Sequence, residues 1–312
     1  MMFSLSWWLV FLILSVLAIG GYTLYSRPAL RKRVFGRRRK KKANTLRGIE
    51  HAGAIKTVYS SLDEVQSALE HAGLESSQLI IGIDYTRSNN YTGKKTFGGR
   101  SLHYIDQSYQ IQNPYQHVIQ LIGSMLARFD DDQIIPTFGF GDMTTTNQRV
   151  FSFTGCHGHP APVGVEEVLT RYNEITPHLN LAGPTNFAPL IERAINIVKQ
   201  TMAFHILLIV ADGQVTNEAE TISSIVHASK YPLVIVMVGV GDGPWDMMED
   251  FDDRLPQRAF DNFQFVNFSK VMERYPQDSA HAEIEFALEA LGEIPEQYKQ
   301  IRRLGLTRIM PS

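Results

Sequence analysis

Three short polar segments carry the side chains that could do chemistry in this sequence. The first, Asp84-x-Thr86-x-Ser88, places a carboxylate and two hydroxyls on alternate residues, so an extended loop could turn all three toward one point. Thr185 and Asp212 lie in the other two segments. Such oxygen ligands suit hard cations rather than zinc or copper. We therefore predict that these five residues bind Mg²⁺, or Mn²⁺ or Ca²⁺ in its place.

The proposed ligand set carries little negative charge, because only Asp84 and Asp212 are acidic. A bound cation would keep much of its charge and an open coordination position. We expect a protein partner to fill that position with an Asp or Glu side chain. Both aspartates follow apolar runs, so we expect them at strand ends beside solvent.

Each segment also has a simpler interpretation when it is taken alone. Thr185 could be a helix N-cap, Asp212 could belong to a turn, and Ser88 could lie in a polar loop. The order of the segments and their places after predicted strands favour the metal site. Asp142 also ends a predicted strand, and it could be either an acid behind the metal ligands or a turn aspartate.

Strands alternate with helices along the sequence. Apolar runs predict strands at 79–84, 134–140, 205–211, 233–240 and 263–268, and an edge strand at 149–153. Amphipathic runs predict helices at 61–72, 114–128, 187–201, 217–229 and 279–291. This alternation predicts an α/β fold with a doubly wound, mainly parallel sheet flanked by helices, which binds ligands at the carboxyl ends of its strands.

Composition excludes several classes of function. With 44% hydrophobic residues among 312, the chain can bury a substantial core. Residues 1–50 hold eleven Lys and Arg against Glu50, which leaves residues 51–312 with 19 basic and 31 acidic residues, a net charge of −12. We expect no nucleic acid partner for this acidic part. The single cysteine, Cys156, excludes an intramolecular disulfide framework.

An uncharged stretch near the N-terminus predicts a membrane anchor. Residues 7–25 are long enough to span a bilayer, and a basic cluster follows at 27–42. A cleaved signal peptide would carry its positive charge before the apolar run instead. The charge bias predicts a single-pass membrane protein whose globular domain is cytosolic, with the basic cluster against anionic lipids. That cluster also resembles a nuclear-localisation or nucleic-acid-binding tract.

These patterns divide the chain into four predicted parts. They are a transmembrane anchor at 1–26, a basic linker at 27–50, a globular domain at 51–300 and a tail at 301–312.

The three polar segments resemble the metal-ion-dependent adhesion site (MIDAS) of von Willebrand factor A domains. Longer stretches are similar to the copine family and to plant-type RING ubiquitin ligases that contain a copine domain. The resemblance extends from about Val58 to Tyr298, and these stretches carry it: GIDYTRSNNYTG, QNPYQHVIQLIG, FGFGD, GPTNFAPLI, ADGQVT, VGVGDGPWDMM and FDNFQFVNFSK.

The resemblance implies a role for each residue of the site. Thr86, Ser88 and Thr185 would be direct or nearly direct ligands, whereas Asp84 and Asp212 would act mainly through water. It also implies a metal-dependent protein-binding scaffold, which the predicted anchor at 1–26 would tether to the membrane.

Two departures bear on catalysis. Copines carry two C2 domains ahead of this domain, and no stretch of this sequence before Val58 is long enough for one. The ligase relatives end in a RING, which requires about eight Cys and His ligands, and the final residues QIRRLGLTRIMPS contain none. We therefore expect no enzymatic activity. The alternative is a substrate-recruiting subunit for ubiquitination that acts with a separate RING protein.

Three enzyme classes fit the residues less well. A haloacid dehalogenase-type phosphatase could use Asp84 as nucleophile and Asp252-Asp253 for magnesium, but it requires a second carboxylate where this chain has Thr86. Ser88 lacks the Gly-x-Ser-x-Gly context of a hydrolase nucleophile. The glycines around Asp242 lack the Gly-x-Gly-x-x-Gly spacing of a dinucleotide site, so they predict a structural loop.

Overall fold

The computed structural model describes residues 61–307, except 73, 75–76, 109, 127–128, 131 and 154–160. The predicted anchor at 1–26 and linker at 27–50 lie outside this range. Within the described residues, no helix combines the length and the apolar character that a membrane span needs. Both segments, and the boundaries at 51 and 300, stay predictions.

The described part contains a mixed sheet with the order β3-β2-β1-β4-β5-β6. All neighbouring strands are parallel except β2 and β3, which pair antiparallel. The strands are β1 (Gln78–Asp84), β2 (Thr137–Phe140), β3 (Phe151–Ser152), β4 (His205–Ala211), β5 (Leu233–Gly239) and β6 (Phe263–Asn267). The predicted α/β fold with a mainly parallel sheet flanked by helices is confirmed.

Nine helices lie in the described part of the chain, one before β1, three after β6 and the others between strands. They are α1 (Leu62–His71), α2 (Pro114–Leu126), α3 (Gly164–Ile175), α4 (Ala188–Thr201), α5 (Glu218–Ala228), α6 (Asp246–Arg254), α7 (Phe268–Arg274), α8 (Ser279–Leu291) and α9 (Ile294–Arg303). Short 3₁₀ turns occur at Arg87–Asn90 and Thr176–His178.

Side chains from both faces of the sheet are buried beneath helices. In β1, Ile81 and Ile83 belong to one apolar cluster and Ile80 belongs to the other. Gly82 lies under α4, where a Cβ atom would come within 2.1 Å of a methyl carbon of Leu190. The central strands are therefore covered on both sides, as parallel sheets require.

Four helices were absent from the sequence prediction: α3, α6, α7 and α9. The acidic helix α6 buries only Met248 and Phe251, so few apolar residues mark it in the sequence. The strand predicted at 134–140 was too long, since only Thr137–Phe140 is β2. Pro136, just before β2, has no amide hydrogen for a ladder.

Candidate metal centre

The direction in which successive strands are added to the sheet reverses between β1 and β4. These two strands are neighbours, while β2 lies on the far side of β1 and β5 lies on the far side of β4. Such a reversal opens a crevice at the carboxyl ends of the strands, where doubly wound sheets bind ligands. Asp84 ends β1 and Asp212 follows β4, so both carboxylates lie at this point.

Four of the predicted ligands form a chain of hydrogen bonds. The Oγ1 atoms of Thr185 and Thr86 are 3.5 Å apart, and Thr86 Oγ1 is 2.9 Å from Ser88 Oγ. Ser88 Oγ donates to Asp212 Oδ1 at 2.9 Å. Each hydroxyl has one hydrogen, so Thr185 donates to Thr86 and Thr86 donates to Ser88. Every hydroxyl oxygen in this chain keeps lone pairs for another ligand.

Asp84 joins the same group through the loop that follows it. Its Oδ1 accepts a hydrogen bond from Thr86 N at 2.8 Å, and its Oδ2 is buried without a hydrogen-bond partner. The structure thus brings all five predicted residues together. Thr92, which no sequence pattern indicated, adds a hydroxyl that donates to Asp212 Oδ2 at 2.5 Å.

The expectation that the two aspartates lie beside solvent was wrong. Asp84 and Asp212 are both 0% exposed, because the loop after β1 and the segment before Thr185 cover them. Burial raises the pKa of Asp84 well above its ordinary value, and the negative charge of Asp212 raises it further. Burial also raises the pKa of Asp212, although hydrogen bonds from Thr92 and Ser88 oppose the shift.

This donor set fits a hard divalent cation. Two buried carboxylates repel one another in their ionised forms, and a dication between them would remove that cost. Within the part of the chain that the structure describes, no three His, Cys, Asp or Glu side chains come together as a metal site. A cation held between Asp84 and Asp212 would take further ligands from the hydroxyl oxygens, and such oxygen ligands suit Mg²⁺, Mn²⁺ or Ca²⁺.

A cluster of buried polar side chains binds the backbone of Asp84, where the loop after β1 begins. The carbonyl oxygen of Asp84 accepts hydrogen bonds from His103 Nε2 at 2.7 Å, from Asn89 Nδ2 at 3.2 Å and from Tyr115 OH at 3.2 Å. His103 stacks between Tyr85 and Tyr115, with ring centroids 4.6 and 4.1 Å away. None of these residues was predicted, because their long-range contacts leave no local pattern.

His103 is neutral in this cluster. Burial lowers its pKa to about 3, against the opposing effect of the Asp84 carbonyl. Since that carbonyl can only accept, Nε2 carries the ring hydrogen, and Nδ1 accepts from Tyr172 OH at 2.7 Å.

Gly141, which follows β2, lies close to the loop after β1 that contains Thr86 and Ser88. Its φ is +84°, and a Cβ atom there would lie 2.4 Å from Thr86 Cγ2. A side chain at this position would both strain the backbone and displace Thr86.

The N-cap interpretation of Thr185 is wrong. Helix α4 begins after Phe187, whose side chain makes no capping hydrogen bond. Asn186 Oδ1 instead accepts from Ala188 N at 3.1 Å. The hydroxyl of Thr185 is therefore available to the site.

Asp142 is a turn aspartate rather than an acid behind the ligands. Its carboxylate accepts from the amides and hydroxyls of Thr144 and Thr145. Burial would raise the pKa of Asp142, but these hydrogen bonds lower it overall. We expect Asp142→Asn to lower the free energy of unfolding at neutral pH by about 1–3 kcal/mol, because an amide nitrogen replaces an acceptor that faces two donors.

The same variant should keep the whole effect of Mg²⁺ on stability. Chemical denaturation with Mg²⁺ and with EDTA measures both quantities. A variant that lost its response to Mg²⁺ would show that Asp142 belongs to the metal centre after all.

The phosphatase interpretation finds no support in the positions of its residues. Asp252 lies on α6 and accepts from Phe265 N of β6 at 2.9 Å. Two strands, β4 and β5, separate β6 from β1, a distance of about 14 Å at the usual strand spacing. Asp252 therefore does not join Asp84. Asp242 binds backbone amides of the loop at 95–96, so the structural interpretation of its glycine-rich turn is confirmed.

Asp252 and Glu293 predict a pH dependence unrelated to the metal centre. Burial and neighbouring negative charges raise the pKa of Asp252 to about 7 and that of Glu293 to about 8. Both values lie above those of the unfolded chain, near 4. Their protonation therefore stabilises the fold at low pH, and this contribution is lost as the pH rises through about 7 to 8.

We expect Asp252→Asn to unfold at higher temperature than wild type at about pH 8, with the difference shrinking toward about pH 5. The amide keeps the oxygen that accepts from Phe265 N. Thermal unfolding across this pH range measures the difference. A constant difference at every pH would rule out the raised pKa.

Comparison with known proteins identifies the family. The Copine family model matches residues 101–309. The chain is 55% identical over 265 residues to E3 ubiquitin-protein ligase RGLG5 of Arabidopsis thaliana, covering 80% of this chain and 59% of that protein. It is 53% identical over 251 residues to Copine family protein 2 of Caenorhabditis elegans, covering 80% of this chain and 3% of that protein.

The chain thus spans less than two thirds of either relative. Among solved structures, the von Willebrand factor type A protein from Catenulispora acidiphila aligns with a TM-score of 0.42 and 13% identity over 69% of this chain and 43% of that chain. The family model covers more than half of the sequence, and the chain belongs to the copine family.

Proposed function

We propose that this copine-family chain is a membrane-tethered module that binds a protein partner through a divalent cation. The observation that carries the proposal is the meeting of Asp84 and Asp212, both fully buried, with the hydroxyl chain that starts at Thr185. A buried pair of carboxylates is unfavourable for the metal-free fold, which makes a role in cation binding the simplest reason for its presence.

Each residue has a distinct part in this proposal. Thr86, Ser88 and Thr185 would hold the ion through their hydroxyl oxygens, while the carboxylates of Asp84 and Asp212 would balance its charge and orient the hydroxyls. Asp212 already orients Ser88, which donates to it. A bound dication would supply an electrophilic position for a partner's carboxylate. The three neutral hydroxyls leave part of the positive charge available to that carboxylate.

Affinity capture tests this function. Full-length wild type and Asp84→Asn would be used as bait with Mg²⁺ and with EDTA, followed by mass spectrometry. Partners that bind wild type only with Mg²⁺, and that Asp84→Asn fails to bind, are expected. An identical set of partners under all four conditions would mean that recognition uses another surface.

Membrane tethering rests on the apolar stretch at 7–25 and the basic cluster after it. Carbonate extraction of cells that express the full chain should leave it in the membrane pellet. Recovery of a chain that begins after Tyr25 would instead identify a cleaved leader.

A second candidate function is substrate recruitment for ubiquitination. The observation that favours it is the 55% identity to a relative named as an E3 ubiquitin-protein ligase. This chain would bind substrates, and a separate RING protein would supply catalysis. Co-purification of a RING protein or a ubiquitin-conjugating enzyme would favour this function over a scaffold without ubiquitination. The purified chain, mixed with activating and conjugating enzymes alone, should form no ubiquitin chains.

A further inference from the structure

The residues that follow β1 carry positive charge, unlike the domain as a whole. Residues 85–105 contain four basic residues and no acidic one, whereas residues 51–312 as a whole have a net charge of −12. The four residues are exposed, and we call them the basic face: Arg87, Lys94, Lys95 and Arg100. An acidic domain therefore presents a local positive surface next to its candidate metal centre.

Hydrogen bonds hold the basic face beside the metal centre. Thr92 Oγ1 contacts Asp212 directly at 2.5 Å, two residues before Lys94. The carboxylate of Asp242 accepts from Lys95 N at 3.1 Å and from the amide and hydroxyl of Thr96 at 3.1 and 2.9 Å. The loop is thus fixed at both the metal centre and the end of β5, so its lysines remain close to the site.

Two exposed apolar side chains lie on the rim of the same site. Tyr91 is 59% exposed, and its amide donates to the carbonyl of Ser88. Met143 is 60% exposed and follows Asp142, which forms a bridge to Leu181 in the segment that also contacts Thr86. Tyrosine, methionine and arginine are enriched at protein interfaces. Their position favours a protein partner over a bare anion.

We propose that the basic face, Tyr91 and Met143 form a second recognition element, which selects an acidic protein segment that also carries an apolar side chain. The proposal rests on the proposed function for the carboxylate at the metal, and it adds that further acidic residues of the same segment contact the basic face. The net charge of the domain opposes adsorption to an anionic bilayer through this face. A short acidic peptide, unlike a bilayer, contacts only the basic face and is attracted by its positive charge.

Fluorescence anisotropy with synthetic peptides tests this inference. The probe is a labelled peptide of Asp, Glu and Leu, and its control replaces the acids with Asn and Gln. The test variant is Lys94→Glu/Lys95→Glu. The matched control is Lys199→Glu/Lys230→Glu, which makes the same change in charge near the amino ends of β4 and β5, whereas the candidate metal centre lies at the carboxyl ends. All proteins are full-length, and their thermal unfolding is compared first.

We expect the acidic peptide to bind wild type more tightly than the neutral peptide does, and the difference to shrink as salt rises. Lys94→Glu/Lys95→Glu should weaken binding by on the order of tenfold, and the matched control by much less. Calorimetry should find that Lys94→Glu/Lys95→Glu binds Mg²⁺ alone at least as tightly as wild type, because the added negative charge attracts the cation. Equal loss in the two double variants, or equal affinity for the two peptides, would overturn the proposal.

Two further outcomes separate this inference from the metal-dependent function. Equal peptide affinity in Mg²⁺ and EDTA, with a tenfold loss only in Lys94→Glu/Lys95→Glu, would support the basic face and contradict the role of the metal. Binding to phosphatidylserine vesicles that depends on Lys94 and Lys95, without binding to the acidic peptide, would overturn the protein partner in favour of a lipid surface.

Discussion

Asp84→Asn is expected to abolish stabilisation by Mg²⁺ and, in EDTA at neutral pH, to unfold at a higher temperature than wild type. Asp84 is fully buried, with its pKa raised by burial and by the charge of Asp212. Without metal, wild type therefore loses stability as the pH rises above the ordinary pKa of an aspartate, near 3.9. The amide removes one charge of the pair and keeps the oxygen that accepts from Thr86 N.

The stabilisation that Mg²⁺ gives should differ by a large amount between wild type and Asp84→Asn. A ligand at a hundred times its dissociation constant stabilises the folded state by about 2.7 kcal/mol, and this gain should be absent from Asp84→Asn. Thermal unfolding with Mg²⁺ and with EDTA measures it. Asp142→Asn serves as the matched control, because Asp142 also lies just after a strand, but its carboxylate accepts hydrogen bonds from Thr144 and Thr145 of the turn that follows. Equal stabilisation of Asp84→Asn and wild type by Mg²⁺ would rule out this site.

Loss of His103 is the second change with a large expected effect. His103→Ala should lower the free energy of unfolding by about 3–5 kcal/mol, because it removes a buried ring and leaves a cavity between Tyr85 and Tyr115. His103→Phe keeps the stacking but removes the hydrogen bonds to Asp84 O and Tyr172 OH. It should cost about 2–3 kcal/mol. Denaturant unfolding at neutral pH measures both.

The pH dependence of His103→Phe separates the hydrogen bonds from simple packing. The pKa of His103 is lowered to about 3 in the fold, against about 6.5 in an unfolded chain. Wild type should therefore lose stability as the pH falls below about 6.5, since the unfolded state takes up the proton first. His103→Phe lacks this titration, so its deficit should shrink in acid. A deficit that stayed constant from neutral to acidic pH would contradict a neutral, buried histidine.

The sequence was sufficient to predict the parts of the site that follow a local rule. Asp84 and Asp212 come directly after apolar strands, and adjacent parallel strands bring such residues together. The hydroxyls of Thr86 and Ser88 share an alternating pattern with Asp84, and Thr185 was predicted from the order of the three segments. All five residues are neighbours in the structure.

The supporting residues could not be predicted in the same way. Tyr115 and Asn89 are 26 positions apart, and His103 and Tyr172 are 69 apart, yet each pair forms a hydrogen bond. No periodicity connects them. Their contacts depend on how the loop after β1 packs against α2 and α3, which only the tertiary structure specifies. The burial of both aspartates was missed for the same reason.

Helices α7 and α9 were missed for local reasons. Helix α7 follows β6 without a loop, so the whole apolar run at 263–268 was predicted as a strand. Helix α9 begins with a proline near its first turn and continues to Arg303, past the predicted domain boundary at 300. A proline at this position favours a helix start, and this signal was available but unused.

Calorimetric titration of Mg²⁺ into the metal-free, full-length chain measures directly whether these residues form a metal centre. We expect saturable binding of one ion per chain at pH 7, with proton release when the buried carboxyl groups ionise, and no binding by Asp84→Asn or Asp212→Asn. Thr185→Ala should bind more weakly, because one hydroxyl ligand is lost. Absence of binding by wild type to Mg²⁺, Mn²⁺ and Ca²⁺, or equal binding by wild type and both aspartate variants, would contradict the account.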